Sequence, residues 1–296
     1  MKNFIAAGVQ MAITPMDIAK NIEKGCDWLK RSVDETGAEL VVFPESVTTG
    51  FTPNVKGEAL WNLIDTIPGR TTEKVQKVAA DLRIHLVWST YERGAQPGVV
   101  YNSAVLIGPS GDVIGVYRKT HPFPTERLEG GGWTTPGSQA EVYRTELANI
   151  GMILCYDGDF PELCRVLALK GAEVIVRPSA LLRSFEIWDL TNKARAYDNH
   201  VYMIGVNAVG PDAGNNYYFG NSMIVDPIAQ KLAQARGAED IMWARLSADP
   251  IKKLSYGVLA PMIFDHLEDR NLTAYEGIMT AGKSQFTPAK RIAYNR

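Results

Sequence analysis

Residues 150–180, IGMILCYDGDFPELCRVLALKGAEVIVRPSA, restrict the fold more than any other stretch of the chain. An apolar strand over 150–154 runs into a sharp polar turn. A helix then opens at about Pro161, continues to Lys170 and stops at Gly171, and a second strand follows over 173–177. Proline in the first turn and glycine past the last are ordinary start and stop signals of a helix. Cys155 sits at the turn. A side chain at a strand-to-helix elbow projects above the sheet edge, where the following backbone N–H groups and the helix N-terminus create a positive field. That setting favours a thiolate and can hold an oxyanion. Most free cysteines are instead small buried hydrophobes, and this stretch by itself leaves both readings open.

The remaining pattern keeps alternating strand and helix. A first strand covers 4–11, and Pro15 opens a helix in which Ile18, Ile22, Cys26, Leu29 and Val33 keep helical spacing until Gly37. The apolar run 40–43 leads directly into Pro44-Glu45, and a strand apolar throughout is buried on both faces, as in a sheet covered by helices. A helix over 71–82 and a strand over 86–91 follow. Strands at 101–107 and 113–117 are joined by GPSGD, a hairpin turn. The hairpin delivers Arg118 and Lys119 to a Pro/Gly-rich loop that runs to Gly137 and carries Glu126 and Glu129. A loop of that length inside a compact domain is usually functional. Beyond the elbow, 184–199 reads as a helix with Ile187, Leu190, Ala194 and Tyr197 on one side, 201–206 as a strand, and YFGNSMIVDPIAQKLAQA as a second hairpin pair. From about 255 to 296 the pattern weakens, as expected of an arm packed on a partner subunit. With no linker, repeat or low-complexity tract, the chain is expected to form one α/β domain over 1–296, with room for its sheet to split into two packed halves.

Composition narrows the function classes. Apolar residues make up 46% and charged residues 22%, the balance of a soluble globular protein. A net charge of −2 with interspersed signs argues against nucleic-acid and anionic-membrane surfaces. The N-terminal apolar run alternates and meets a Thr-Pro helix start, so it reads as a strand and not a signal peptide. The 3 cysteines are irregularly spaced and the 4 histidines are dispersed. These features point to a cytoplasmic protein with no cofactor and no metal.

Four groups fall at element ends where side chains can converge: Glu45, Lys119, Glu126 and Cys155. Taken singly, each has a plain reading: a solvated loop acid, a surface lysine, a local Glu126–Arg127 pair and a core thiol. Taken together, they suit acyl transfer. A desolvated Glu45 has the raised pKa needed to take the thiol proton. Lys119 and the backbone N–H of Tyr156 can stabilise the oxyanion of a tetrahedral intermediate. The amine leaves with the proton held by Glu45, and water hydrolyses the resulting thioester with the same carboxylate as base. Glu126 would orient the lysine or the substrate amide. No histidine is needed, and His121 reads as structural. Cys26 and Cys164 lie among apolar neighbours and read as core.

Three segments carry a family resemblance: VVFPES around Glu45, YRKTHPFPTER around Lys119, and GMILCYDGDFPELCRVLALKGAEVIV around Cys155. In this order and at these separations the chain resembles the nitrilase, or carbon-nitrogen hydrolase, superfamily from its first strand to about Leu246. The resemblance implies a four-layer α-β-β-α sandwich, a Glu45–Lys119–Cys155 triad with Glu126 as second glutamate, and no metal. It also implies homodimers or higher homo-oligomers in which helices flank the elbow and C-terminal arms exchange. LEGGGW lengthens the loop, which keeps Glu129 as an alternative second glutamate.

Tyr156-Asp157 follows the cysteine as in amidase branches, where true nitrilases have Trp-Glu. Carbamoyl-acid branches often place arginine shortly after the cysteine, whereas this chain has Gly158-Asp159. The expected substrate is therefore a small primary amide, neutral or cationic, unless Arg177 and Arg183 turn inward. Asp159 would contact it, with Leu181, Leu182 and Trp188 as an apolar wall at the pocket mouth. An N-carbamoyl amine or amino acid is the alternative substrate, followed by a nitrile. A catalytically idle binding protein should lack a triad member. A glutamine amidotransferase needs a histidine partner and glycines around its cysteine, which are not evident here.

Overall fold

The structure, a computed structural model, describes residues 1–250 and 263–294. The elements in chain order are β1 (Phe4–Gln10), α1 (Ile18–Thr36), β2 (Leu40–Val42), α2 (Gly57–Leu63), α3 (Arg70–Leu82), β3 (His85–Arg93), β4 (Val100–Ile107) and β5 (Val113–Arg118). They continue with β6 (Val142–Arg144), β7 (Asn149–Met152), α4 (Pro161–Leu169), β8 (Val174–Ser179), α5 (Phe185–Asn199) and β9 (Tyr202–Asn207). Short strands complete the set: β10 (Val209–Pro211), β11 (Tyr217–Phe219), β12 (Met223–Val225), β13 (Lys231–Gln234) and β14 (Asp240–Leu246).

Two six-stranded sheets result, ordered β14-β1-β2-β3-β4-β5 and β13-β12-β9-β8-β7-β6. Each has a parallel centre, β1-β2-β3 in one and β7-β8-β9 in the other, flanked by antiparallel strands. Side-chain alternation along the first sheet assigns its two faces. Leu40 and Val42 of β2, with Ala104 and Leu106 of β4, join a core shared with the second sheet. The intervening Val41, Val105 and Ile107 face α1 and α3 and pack on Leu29, Val75 and Ala79. Helices α4 and α5 cover the outer side of the second sheet, which gives the α-β-β-α layering. Gly8 marks a close approach of the sheets: a Cβ there would lie 2.8 Å from Val206 Cγ2. Cys26 and Cys164 are buried in these cores, at 3% and 0% exposure.

The outer helices show local sequence control. Asp17 caps α1 by accepting from the Lys20 N–H at 3.2 Å, and Gly37 ends it in the left-handed conformation. Ser184 caps α5 by accepting from the Ile187 N–H at 3.2 Å.

The side of α5 that carries Ile187, Leu190, Ala194 and Tyr197 is not its buried side. Leu190 is 67% exposed and Tyr197 37%, while Trp188, Asn192, Arg195, Ala196 and Asn199 face inward. The reason is that α5 packs on the polar elbow after β7: Arg195 donates to the carbonyls of Gly158 at 3.1 Å and Asp159 at 3.2 Å. Of the expected arm, residues 255–262 and 295–296 lie outside the described residues. The described part runs along its own chain, with His266 Nδ1 3.0 Å from the Tyr197 carbonyl oxygen and the Tyr294 hydroxyl donating to the Thr120 carbonyl at 2.9 Å.

Candidate active site

Strand ends bring the reactive groups together. Glu45 follows β2, Lys119 follows β5, Cys155 follows β7 by three residues, and Ala180 follows β8. The Lys119 ammonium donates to Glu45 Oε1 at 2.7 Å and also to Glu126 Oε1. All three side chains are completely buried. Each carboxylate has further donors. Glu45 accepts from the Ala180 N–H at 2.9 Å and from Asn102 Nδ2 at 2.9 Å. Glu126 accepts from the Phe123 N–H at 2.7 Å, Thr134 Oγ1 at 2.9 Å and Asn102 at 3.3 Å. Glu45 and the Ala180 N–H both lie near enough to the Cys155 thiol to influence its proton, Glu45 holding it on and the N–H favouring its loss.

Glu126, not Glu129, is the glutamate on the lysine; Glu129 sits on the exposed turn 128–130. Arg127 does not pair with Glu126 but donates to the carbonyls of Pro122 at 2.9 Å and Ile292 at 3.0 Å.

Burial and charge set the protonation states. Burial raises the Glu45 pKa, and Lys119 only partly offsets it. Burial pushes the Cys155 thiol up to about 12, with Glu45 acting in the same direction. For Lys119 burial alone disfavours the ammonium, but Glu126 and Glu45 outweigh it and hold the pKa well above the usual lysine value. The resting site thus contains a neutral thiol and a fixed cation.

The elbow itself is strained and heavily braced. Cys155 adopts φ of 42°, a left-handed conformation rare for a side chain of this kind. Asp157 ties the elbow to the lysine loop. Its carboxylate accepts from the Leu154 N–H at 2.9 Å, the Tyr117 hydroxyl at 2.7 Å, Thr120 Oγ1 at 3.1 Å and the His121 N–H at 2.9 Å. His121 Nδ1 lies 2.9 Å from the same carboxylate, and its ring stacks on Phe160 with centroids 3.8 Å apart, so the histidine has a structural partner. On the other side Arg177 donates to the Cys155 carbonyl at 2.8 Å. Its guanidinium lies 5.0 Å from the Trp188 ring centroid. A Cβ on Gly158 would fall 2.1 Å from Arg177 Cζ, which is why glycine stands there.

Cys155 opens into a cavity of about 400 Å³ lined by Phe51, Phe123, Trp133, Leu181 and Leu182 among others. Two expected contacts are corrected. Trp188 is fully buried, donates to the Asn221 carbonyl at 2.7 Å and supports Arg177; it does not reach the cavity. Asp159 is also absent from the cavity wall, because it pairs with Arg183 at 2.6 and 3.0 Å. Arg183 does line the cavity, whereas Arg177 stays behind the elbow. Asp159, paired with Arg183, thus offers no free carboxylate to a cationic substrate. Aromatic residues Phe51 and Trp133 supply the wall expected of Trp188. Asn102 and Asp157 were missed as site residues. The hairpin register was the available signal for Asn102, since it places that residue opposite Lys119, whose N–H donates to the Asn102 carbonyl at 2.8 Å.

The sequence matches the carbon-nitrogen hydrolase family over residues 5–256. The chain belongs to that family. It is 35% identical over 236 residues to a nitrilase of Pyrococcus abyssi, covering 79% of this chain and 86% of the relative. It is 32% identical over 231 residues to a formamidase of Bacillus cereus, covering 76% and 68%. An amidase from Nesterenkonia sp. shares its fold with a TM-score of 0.78 at 23% identity, over 94% of this chain and 97% of that one. As a carbon-nitrogen hydrolase, the chain is an enzyme. No helix among its described residues is long and apolar enough to cross a membrane.

Proposed function

We propose that this carbon-nitrogen hydrolase is a cysteine amidase that converts a small primary amide to a carboxylic acid and ammonia through a thioester on Cys155. The observation that carries the reading is one buried ammonium, Lys119, shared by Glu45 and Glu126 beside a thiol that faces a cavity. Burial holds the thiol pKa up at about 12, so attack through a free thiolate at neutral pH would be slow. Glu45, the buried carboxylate beside the thiol, instead takes the proton as the sulfur bonds to the carbonyl carbon. Lys119 and the Tyr156 N–H stabilise the oxyanion. Glu45 then protonates the departing ammonia, and the thioester remains. Water attacks next, again giving its proton to Glu45, and collapse of the second intermediate returns the proton to sulfur. Glu126 fixes Lys119 and keeps it charged.

The relatives named formamidase and nitrilase support C–N chemistry on small substrates, and Tyr156-Asp157 favours the amide over the nitrile. We further infer that the protein acts in the cytoplasm as a homodimer or higher homo-oligomer.

Ammonia release across aliphatic, aromatic and carbamoyl amides tests the reaction, with Cys155→Ala as blank. Intact mass of the wild type, quenched in acid during turnover of the best substrate, should show an acyl adduct that is absent from Cys155→Ala. Failure of every amide and carbamoyl compound to release ammonia would overturn the reading.

A further inference from the structure

The cavity over Cys155 has an uneven charge distribution. Beneath it lie Glu45, Lys119 and Glu126, two acids to one cation, all withdrawn from solvent. Among the described residues, the charged side chains on its wall are Lys56 and Arg183, both cations, and no acid lines it. They come from separate loops, one before α2 and one before α5, and each is held in place. Lys56 Nζ donates to the Gly131 carbonyl at 2.7 Å and lies 5.9 Å from the Trp133 ring centroid. Neither partner is charged, and among the described residues no carboxylate is paired with Lys56. Arg183 is fixed by the two hydrogen bonds to Asp159 and lies 5.8 Å from the Phe123 centroid and 5.4 Å from that of Tyr156. Asp159 engages Nη1 and Nη2 through one N–H each, which leaves further guanidinium donors for a ligand.

Resting on the amidase reading and narrowing it, we propose that Lys56 and Arg183 form a subsite for an anionic group at the far end of the substrate. The preferred substrate is then a short primary amide that carries a carboxylate beyond its reacting carbonyl. The field orients such a molecule. A carboxylate is repelled from the two acids under the floor and attracted to the two cations on the wall, so the neutral amide is the end presented to Cys155. A cationic amide meets the opposite field and is excluded. The apolar residues Phe51, Phe123 and Leu181 line the cavity and suit the methylene spacer. Asp159 is a positioning residue in this scheme, since it holds Arg183 without touching the ligand.

The test compares amides of matched length: succinamic acid, its methyl ester and 3-aminopropanamide. Ammonia release should give a kcat/KM for the acid at least about tenfold above that of the ester, as expected for hydrogen bonds to a charged group. The cationic amide should be slowest. Lys56→Met should lower the acid-to-ester ratio several-fold, and Lys56→Glu should turn the preference toward the cationic amide. Equal rates for the acid and the ester, or an acid-to-ester ratio unchanged in both variants, would overturn the subsite. Binding of acid and ester to Cys155→Ala, by calorimetry, needs no turnover. If the wild type releases ammonia from no amide, the amidase reading fails while this binding ratio still decides the subsite. Tighter binding of the acid, lost in Cys155→Ala/Lys56→Met, supports it; equal binding refutes it.

Discussion

At the scale of single residues, the site is controlled by where one proton sits. Burial raises both Glu45 and Cys155, so the base and the thiol are each displaced toward their neutral forms. Activity requires Glu45 as carboxylate, and it is lost as pH falls through the raised Glu45 pKa. The acid limb of kcat/KM should therefore lie above the ordinary glutamate value of about 4.3. Glu45→Gln should remove that limb and reduce kcat/KM by at least about 10²-fold, the usual range for losing a general base. A limb at the ordinary carboxylate value would mean that another group takes the proton. Asp157 acts differently: it touches no reacting atom, but it holds the Cys155 elbow and the loop after Lys119 to one carboxylate. The sequence made the reactive side chains legible because each follows an identifiable strand or turn. It made Asn102 and Asp157 far less so, because their importance lies in hydrogen bonds that bridge distant segments.

At the scale of elements, the elbow depends on α5 as much as on β7. Arg177 leaves β8, passes against Gly158 and reaches the Cys155 carbonyl, while Thr191 and Asn192 of α5 accept from it at 2.8 and 3.1 Å. Burial lowers the Arg177 pKa, opposed by nearby Cys155 and Asp159, so this cation stays in place only while its acceptors do. Gly158→Ala puts a methyl group where the guanidinium lies. It should destabilise the fold by about 1–3 kcal/mol, as overpacking does, and reduce kcat more than KM. Thermal unfolding and steady-state kinetics on the same preparation check this; an unaltered Tm and kcat would show that the elbow adapts. The same packing takes Trp188 away from the pocket wall that the sequence suggests for it. A tryptophan between Ile187 and Leu190 looks like a pocket wall in one dimension, but the helix turns it toward Arg177.

At the scale of the whole molecule, the apolar stripe of α5 poses a question that the single chain leaves open. Ile187, Leu190, Ala194 and Tyr197 keep helical spacing, yet Leu190 is 67% exposed, and Leu169 and Val166 of neighbouring α4 are 51% and 41% exposed. The periodicity identifies an apolar face but not its direction, because the inner side of α5 serves a polar elbow. The stripe is accounted for if a second copy covers it, as the inferred homo-oligomer requires. A second copy on α4 and α5 would also press on the two helices that brace Cys155. Leu190→Glu puts a charge on an exposed position, where the isolated fold loses within about 0.5 kcal/mol, whereas a paired apolar face would have to bury it. Sedimentation should therefore show the wild type as a dimer or larger and Leu190→Glu as a smaller species with unchanged circular dichroism. The wild type's specific activity should fall on dilution toward that of Leu190→Glu, whose own activity should be independent of concentration. A wild type that sediments as a monomer would leave the stripe unexplained and would remove assembly from the account of the site.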